Sequence, residues 1–63
     1  MTYREARTNA GLSQEKAAKL IGVSPPAISY WENGKTIPRL QMLMRMAKVY
    51  GVPAGDLIGD EES

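Results

Sequence analysis

Four glycines, Gly11, Gly22, Gly34 and Gly51, punctuate this chain and set what it can fold into. Each closes a stretch whose apolar residues recur at spacings of three and four. Each is followed within four residues by Ser13, Ser24, Pro38 or Pro53, residue types that start helices well. A chain punctuated this way predicts an all-α bundle of short helices. The first is expected over about Thr2 to Ala10, opened by a capping box of Thr2 and Glu5, with Tyr3, Ala6, Arg7 and Ala10 on one face. The second spans about Gln14 to Ile21 with Ala17, Leu20 and Ile21 inward. The third runs from about Pro25 to Asn33 under a Ser24 cap, with Ile28 and Trp31 inward. A fourth, about Arg39 to Tyr50, turns Leu40, Leu43, Met44, Ala47 and Tyr50 to the core, flanked by Met42 and Met46. Pro53 opens a final turn to about Ile58. One domain over residues 1–59 and a disordered acidic tail at 60–63 account for the chain.

Size and residue usage narrow the chemistry. At 63 residues only a small core can form, and stability is expected to be marginal. The absence of cysteine excludes a disulfide framework and a thiolate metal site. With no histidine either, no metal or cofactor site is expected. The carboxylates show no arrangement with a nucleophile, and no Gly-rich phosphate loop is present, so the chain does not read as an enzyme. No small-molecule pocket is expected. Nor is there a signal peptide or an apolar run long enough for a membrane, which predicts a soluble, cytoplasmic protein. Residues 1–50 hold all eight Lys and Arg against Glu5, Glu15 and Glu32, whereas 51–63 hold only acids: Asp56, Asp60, Glu61 and Glu62. A basic body of this kind suits a negatively charged partner or an ordinary solvated surface.

Two charges fall on apolar faces. Arg7 shares its stripe with Tyr3 and Ala6, and Glu32 sits beside Ile28 and Trp31. An unpaired buried charge costs several kcal/mol, so the economical arrangement pairs Arg7 with Glu32 and ties the first helix to the third. Snorkelling of both to water is the alternative.

The stretch "GLSQEKAAKLIGVSPPAISYWENGKTIP" resembles the helix-turn-helix of the phage-repressor-like (Cro/cI, or XRE) DNA-binding family. The match rests on Gly11, Leu12, Ser13, Gln14, Ala18, Gly22, Val23, Ser24, Ile28, Glu32, Asn33 and Gly34. It continues through Pro38, Leu40, Leu43, Ala47, Gly51, Val52 and Leu57. Members of that family pair an Arg placed like Arg7 with a Glu placed like Glu32. The resemblance implies a compact, lambda-repressor-like bundle of five helices with the helix-turn-helix at helices two and three. It also implies a sequence-specific transcriptional regulator that lays its third helix in the major groove of double-stranded DNA. This chain departs from the family at Ala17 and Tyr50, both usually Leu, at the large Trp31, and at the proline pair.

With Ile28 and Trp31 inward, Ser24, Pro25, Pro26, Ser29 and Tyr30 face outward as candidate groove contacts. Pro25 suits the first helical position and is the expected start, although a following proline biases it away from helical angles and would favour a start one residue later. The pair offers either flat apolar surface for thymine methyls or merely a stiff helix start. Gln14, Asn33, Lys35, Thr36 and Arg39 are the candidate phosphate contacts, with Arg4, Lys16 and Lys19 as solvated cations. Tyr30 serves as a phosphate or edge contact or as surface cover; Thr36 serves equally as a local loop cap. The family's dimeric binding implies a homodimer, formed either in solution or only on DNA, through Val52, Pro53, Leu57 and Ile58, residues that also suit a core cap. A helix-turn-helix adaptor or antitoxin-like module with weak DNA binding is the competing function.

Overall fold

The computed structural model describes the backbone of residues 1–61 and the side chains of residues 1–57. Among the described residues five helices follow one another: α1 (Tyr3–Asn9), α2 (Gln14–Ile21), α3 (Pro25–Glu32), α4 (Leu40–Tyr50) and α5 (Ala54–Glu61). No strand occurs among the described residues. Nor is any helix among them long and apolar enough to cross a membrane. The helix α5 takes in Asp60 and Glu61, which the sequence reading left to the tail, while Glu62 and Ser63 lie outside the described residues.

Local chemistry sets the boundaries. At α1 the expected capping box is formed: Glu5 N–H donates to Thr2 Oγ1 at 3.0 Å, and Thr2 N–H donates to Glu5 Oε1 at 2.9 Å. Ser13 Oγ accepts from Lys16 N–H at 3.0 Å and opens α2. Gly22, at φ 93°, stops α2 in the left-handed region, and the N–H groups of Gly22 and Val23 both return to Ala18 O, at 2.8 and 2.9 Å. Arg45 reaches the same helix end, donating to Ile21 O at 3.3 Å, where a cation complements the helix dipole.

One core joins all five helices, built from Tyr3, Ala6, Ala17, Ala18, Ile21, Ile28, Trp31, Leu43, Met46, Ala47, Tyr50 and Leu57. Two expected faces are corrected. In α2, Leu20 stands in solvent and Ala18 takes its place, because α2 packs closely on α3 and the small side chains fit between the two helices. In α4 the buried arc is Leu43, Met46, Ala47 and Tyr50. Leu40 and Met44 are exposed, while Met46, expected at the margin, is only 1% exposed. Packing against both α2 and α5 turns α4 toward its Met46 side. At the ends of α1 and α4 there are smaller shifts: Ala10 is an exposed C-cap, Pro38 is buried ahead of the helix, and Arg39 is the N-cap.

The Tyr50 hydroxyl is buried without a hydrogen-bond partner among the described residues. Burial, reinforced by the charge of Glu32 and opposed by Arg7, pushes its pKa up to about 12. Removing an unsatisfied buried hydroxyl while keeping the ring relieves its desolvation cost. Tyr50→Phe is therefore expected to raise stability by about 1 kcal/mol. A higher urea midpoint with unchanged slope would record it; a loss would show that the hydroxyl contributes.

Candidate nucleic-acid interface

The geometry is organised by Glu32, at the end of α3. Its side chain is 1% exposed and that of Arg7 11%. Arg7 Nε donates to Glu32 Oε2 at 2.6 Å and Nη2 donates to Oε1 at 3.1 Å, a two-pronged contact between α1 and α3. The third prong, Arg7 Nη1, donates to Leu12 O at 2.8 Å and fixes the turn into α2. Gln14 Nε2 adds a bond to Glu32 Oε1 at 3.1 Å, and the exposed Arg4 Nε another at 3.3 Å. Burial alone would push the Glu32 carboxyl up. The hydrogen bonds from Arg7, Gln14 and Arg4 and the charge of Arg7 outweigh it and hold Glu32 below the ordinary carboxylate range. Reciprocally, the hydrogen bond to Glu32 raises the Arg7 guanidinium despite its burial.

Ile28 and Trp31 pin α3 to the core at 1% and 9% exposure, so its other side faces out. Pro25, Pro26 and Tyr30 are exposed there, and Ser29 is half-buried. The helix begins at Pro25, the expected start, with both prolines in its first turn, so the bias that Pro26 places on Pro25 does not delay it. Ser24 occupies the N-cap, yet its hydroxyl makes no capping bond. The reason lies in the sequence: Pro26 has no N–H to give, and the Ala27 N–H donates to the Ser24 carbonyl at 3.0 Å.

Beyond α3, the loop is tied back to it. Lys35 N–H donates to Tyr30 O at 2.9 Å, and Lys35 Nζ lies 5.6 Å from the centre of the Tyr30 ring, a cation–π distance. Lys35, Thr36 and Arg39 are exposed. Among the expected phosphate contacts, two are engaged internally. Gln14 gives one amide N–H to Glu32. Asn33 Nδ2 donates to Ser29 O and Oγ at 2.9 and 3.2 Å, and its Oδ1 accepts from Arg4 at 3.3 Å. The sequence reading missed Arg4 as a partner of this cluster. Its position three residues before Arg7, on the same helical face, was the available signal.

At the far end, Leu57 is fully buried, so it seals the core and is withdrawn as a surface contact. Pro53 is exposed and Val52 half-buried, while the Ile58 side chain lies outside the described ones.

A helix followed by a Gly22-containing turn and a second helix with an outward, partly basic edge is the arrangement of a helix-turn-helix. The helix-turn-helix family model matches residues 4–57. The chain is 37% identical over 60 residues to the cryptic phage CTXphi transcriptional repressor RstR of Vibrio cholerae, covering 95% of this chain and 54% of the relative. It is 37% identical over 59 residues to the HTH-type transcriptional activator BcrR of Enterococcus faecalis, covering 94% of this chain and 29% of the relative. An uncharacterized HTH-type transcriptional regulator of Archaeoglobus fulgidus is 38% identical over 60 residues, which cover 94% of this chain and 86% of that protein. The chain thus spans about half or less of the length of the phage repressor and of the activator. By the family match and the five-helix architecture together, it belongs to the phage-repressor-like (XRE-type) helix-turn-helix family of DNA-binding transcriptional regulators.

Proposed function

We propose that this domain binds duplex DNA sequence-specifically by laying α3 in the major groove and gripping the flanking backbone with Lys35, Thr36 and Arg39. The observation that carries this reading is the orientation of α3, whose Ile28 and Trp31 are buried while Pro25, Pro26 and Tyr30 stand out. Ser24, Pro25, Pro26, Ser29 and Tyr30 form the groove face. The Ser24 hydroxyl, unused as a cap, donates to a base edge or phosphate. The cation–π contact holds Lys35 beside Tyr30, so the two act on one stretch of backbone. Gln14 keeps a second amide N–H for a phosphate at the start of α2, and Asn33 serves chiefly to hold Ser29. The domain works by binding alone, without catalysis, in the cytoplasm where its target lies.

Binding in pairs is part of the proposal. The molecule measures 25 × 23 × 19 Å, less than the roughly 34 Å between half-sites one turn apart, so two copies fit side by side. Ile37, Leu40 and Met44 are 69%, 62% and 59% exposed, with the latter two one turn apart on α4. They present on the order of 350 Å² per copy, and pairing through them would bury about twice that, short of the roughly 1,200 Å² of a stable interface. A dimer of this kind forms on adjacent half-sites rather than free in solution. Together with Val52 and Pro53, this stripe replaces Leu57 as the contact surface.

Neutralising about three phosphates per copy predicts a slope of log affinity against log salt near −2.7, or twice that for a pair on one operator. The double variant Lys35→Ala, Arg39→Ala is expected to flatten the slope by about 1.8 per copy. Titration of labelled duplex between 50 and roughly 200 mM salt reads both values. Retention on DNA indifferent to the double change would favour the adaptor function instead.

A further inference from the structure

The leading turn of α3 is the part of a groove-binding helix that meets base edges first, and here it is chemically unusual. A helix N-terminus ordinarily presents several unsatisfied N–H groups, which draw phosphates and acceptor atoms. In α3 that capacity is much reduced. Pro25 and Pro26 have no N–H, and the next one, on Ala27, is already given to Ser24 O at 3.0 Å. What the tip exposes is two pyrrolidine rings, side by side and locked in conformation. Ser24 precedes them at the N-cap, its hydroxyl unused as a cap, and Ser29 and Tyr30 lie further along the helix.

Against the major groove such a tip has one complement. Every group presented there is a hydrogen-bond donor or acceptor except at C5 of a pyrimidine, which carries a bulky methyl in thymine and 5-methylcytosine and only a hydrogen in cytosine. Placing the rings on an N7, O6, O4 or N4 edge would strip water from a polar atom and offer nothing in exchange. Placing them on a methyl buries carbon against carbon. We propose that Pro25 and Pro26 are specificity determinants that read a C5-methylated pyrimidine, thymine or 5-methylcytosine, in each half-site. The assignment deepens the groove-binding function and rests on it. Rigidity adds to it, since the rings lose no rotamer freedom on contact.

The test uses the whole domain and a duplex recovered from it by random-site selection. Each thymine of that site is replaced singly by deoxyuridine, which removes the methyl and nothing else, and affinity is titrated at fixed salt. At one or two positions per half-site, affinity should fall about fourfold, the equivalent of roughly 0.8 kcal/mol for one buried methyl-sized group. In the Pro25→Ser, Pro26→Ser variant, with fold checked by circular dichroism, the same uracil substitutions should have no effect. A second arm places cytosine or 5-methylcytosine at the sensitive position: tighter binding of the methylated base extends the reading to both sources, and equal binding confines it to thymine. Uracil tolerated at every position with affinity intact overturns the methyl reading and leaves groove docking standing. Equal uracil sensitivity in the serine variant also overturns it. Failure to select any duplex removes the groove-binding function and this inference together.

Discussion

Arg7→Ala should destabilise the domain by about 3–5 kcal/mol, the loss typical of stripping one partner from a buried ion pair. For a chain of this length the total stability is about 3–9 kcal/mol, so the variant is expected to lose about half or more of it. Two features place the contact in the costly class. Both side chains are nearly sequestered, and the third prong of Arg7 holds the Leu12 carbonyl in the turn before α2. Arg4 does not substitute for Arg7, because it is largely in solvent and reaches Glu32 through a single contact to Oε1, at 3.3 Å. A urea melt followed by the fluorescence of the sole tryptophan, Trp31, measures the loss. A change under about 0.5 kcal/mol would mean that the pair behaves as a surface contact. Replacing both partners, Arg7→Met with Glu32→Leu, should recover most of the stability, since no orphaned charge remains.

Acid separates the pair from a simple packing loss. The Glu32 carboxyl is held below its ordinary value of 4.5 in the folded chain. A depressed folded pKa gives stability that is present above the ordinary value and lost as pH falls through the folded one. The native chain should therefore weaken on acidification below about pH 4.5, in the window set by Glu32. In Arg7→Ala, burial of Glu32 loses its main opponent and favours the neutral acid. The gap between variant and native chain should then narrow as pH falls. A gap independent of pH would assign the loss to packing alone.

Much of this arrangement was legible in the residues, and what escaped shares a cause. The glycine stops, the Thr2–Glu5 box and the Arg7–Glu32 pairing follow from local spacing or from a charge on an apolar face, both visible along the chain. The core face of α4 did not, because "LQMLMRMAKVY" is apolar on more than one side. Only the helices packed against it decide that Met46 goes in while Leu40 and Met44 stay out. Leu20 is a similar case: its spacing from Ala17 predicts the inward stripe, but closeness to α3 rewards the small Ala18. At the candidate interface, the outward residues of α3 were legible from the positions of Ile28 and Trp31. The internal engagement of Gln14 and Asn33 was not, since it depends on where Glu32 and Ser29 stand in three dimensions. The bare first turn was half visible. Two prolines announce the missing donors, but that the Ala27 N–H is spent on Ser24 needed the structure.

Trp31→Ala is the change expected to bring down fold and DNA binding together. Removing a buried tryptophan typically costs about 3–5 kcal/mol through lost transfer energy and the cavity it leaves. Here the side chain does more than fill space. With Ile28 it is the apolar anchor that fixes the rotation of α3 about its own axis, and so decides that Pro25, Pro26 and Tyr30 face a groove. In a core that also contains two alanines of α2, little neighbouring side chain is available to refill the gap. The variant should lose its cooperative thermal transition by circular dichroism and its retention on duplex DNA. Trp31→Phe, which keeps an aromatic ring in the site, should stay folded with reduced stability and still bind. Tyr30→Ala, on the opposite side, should melt within about 0.5 kcal/mol of the native chain, as surface changes do, while weakening DNA affinity. Native-like melting of Trp31→Ala would show that α3 is held by something else, and the outward face assigned to it would fall. The pattern separates anchor from reader: one substitution removes the helix from its place, the other removes a contact from a helix that stays put.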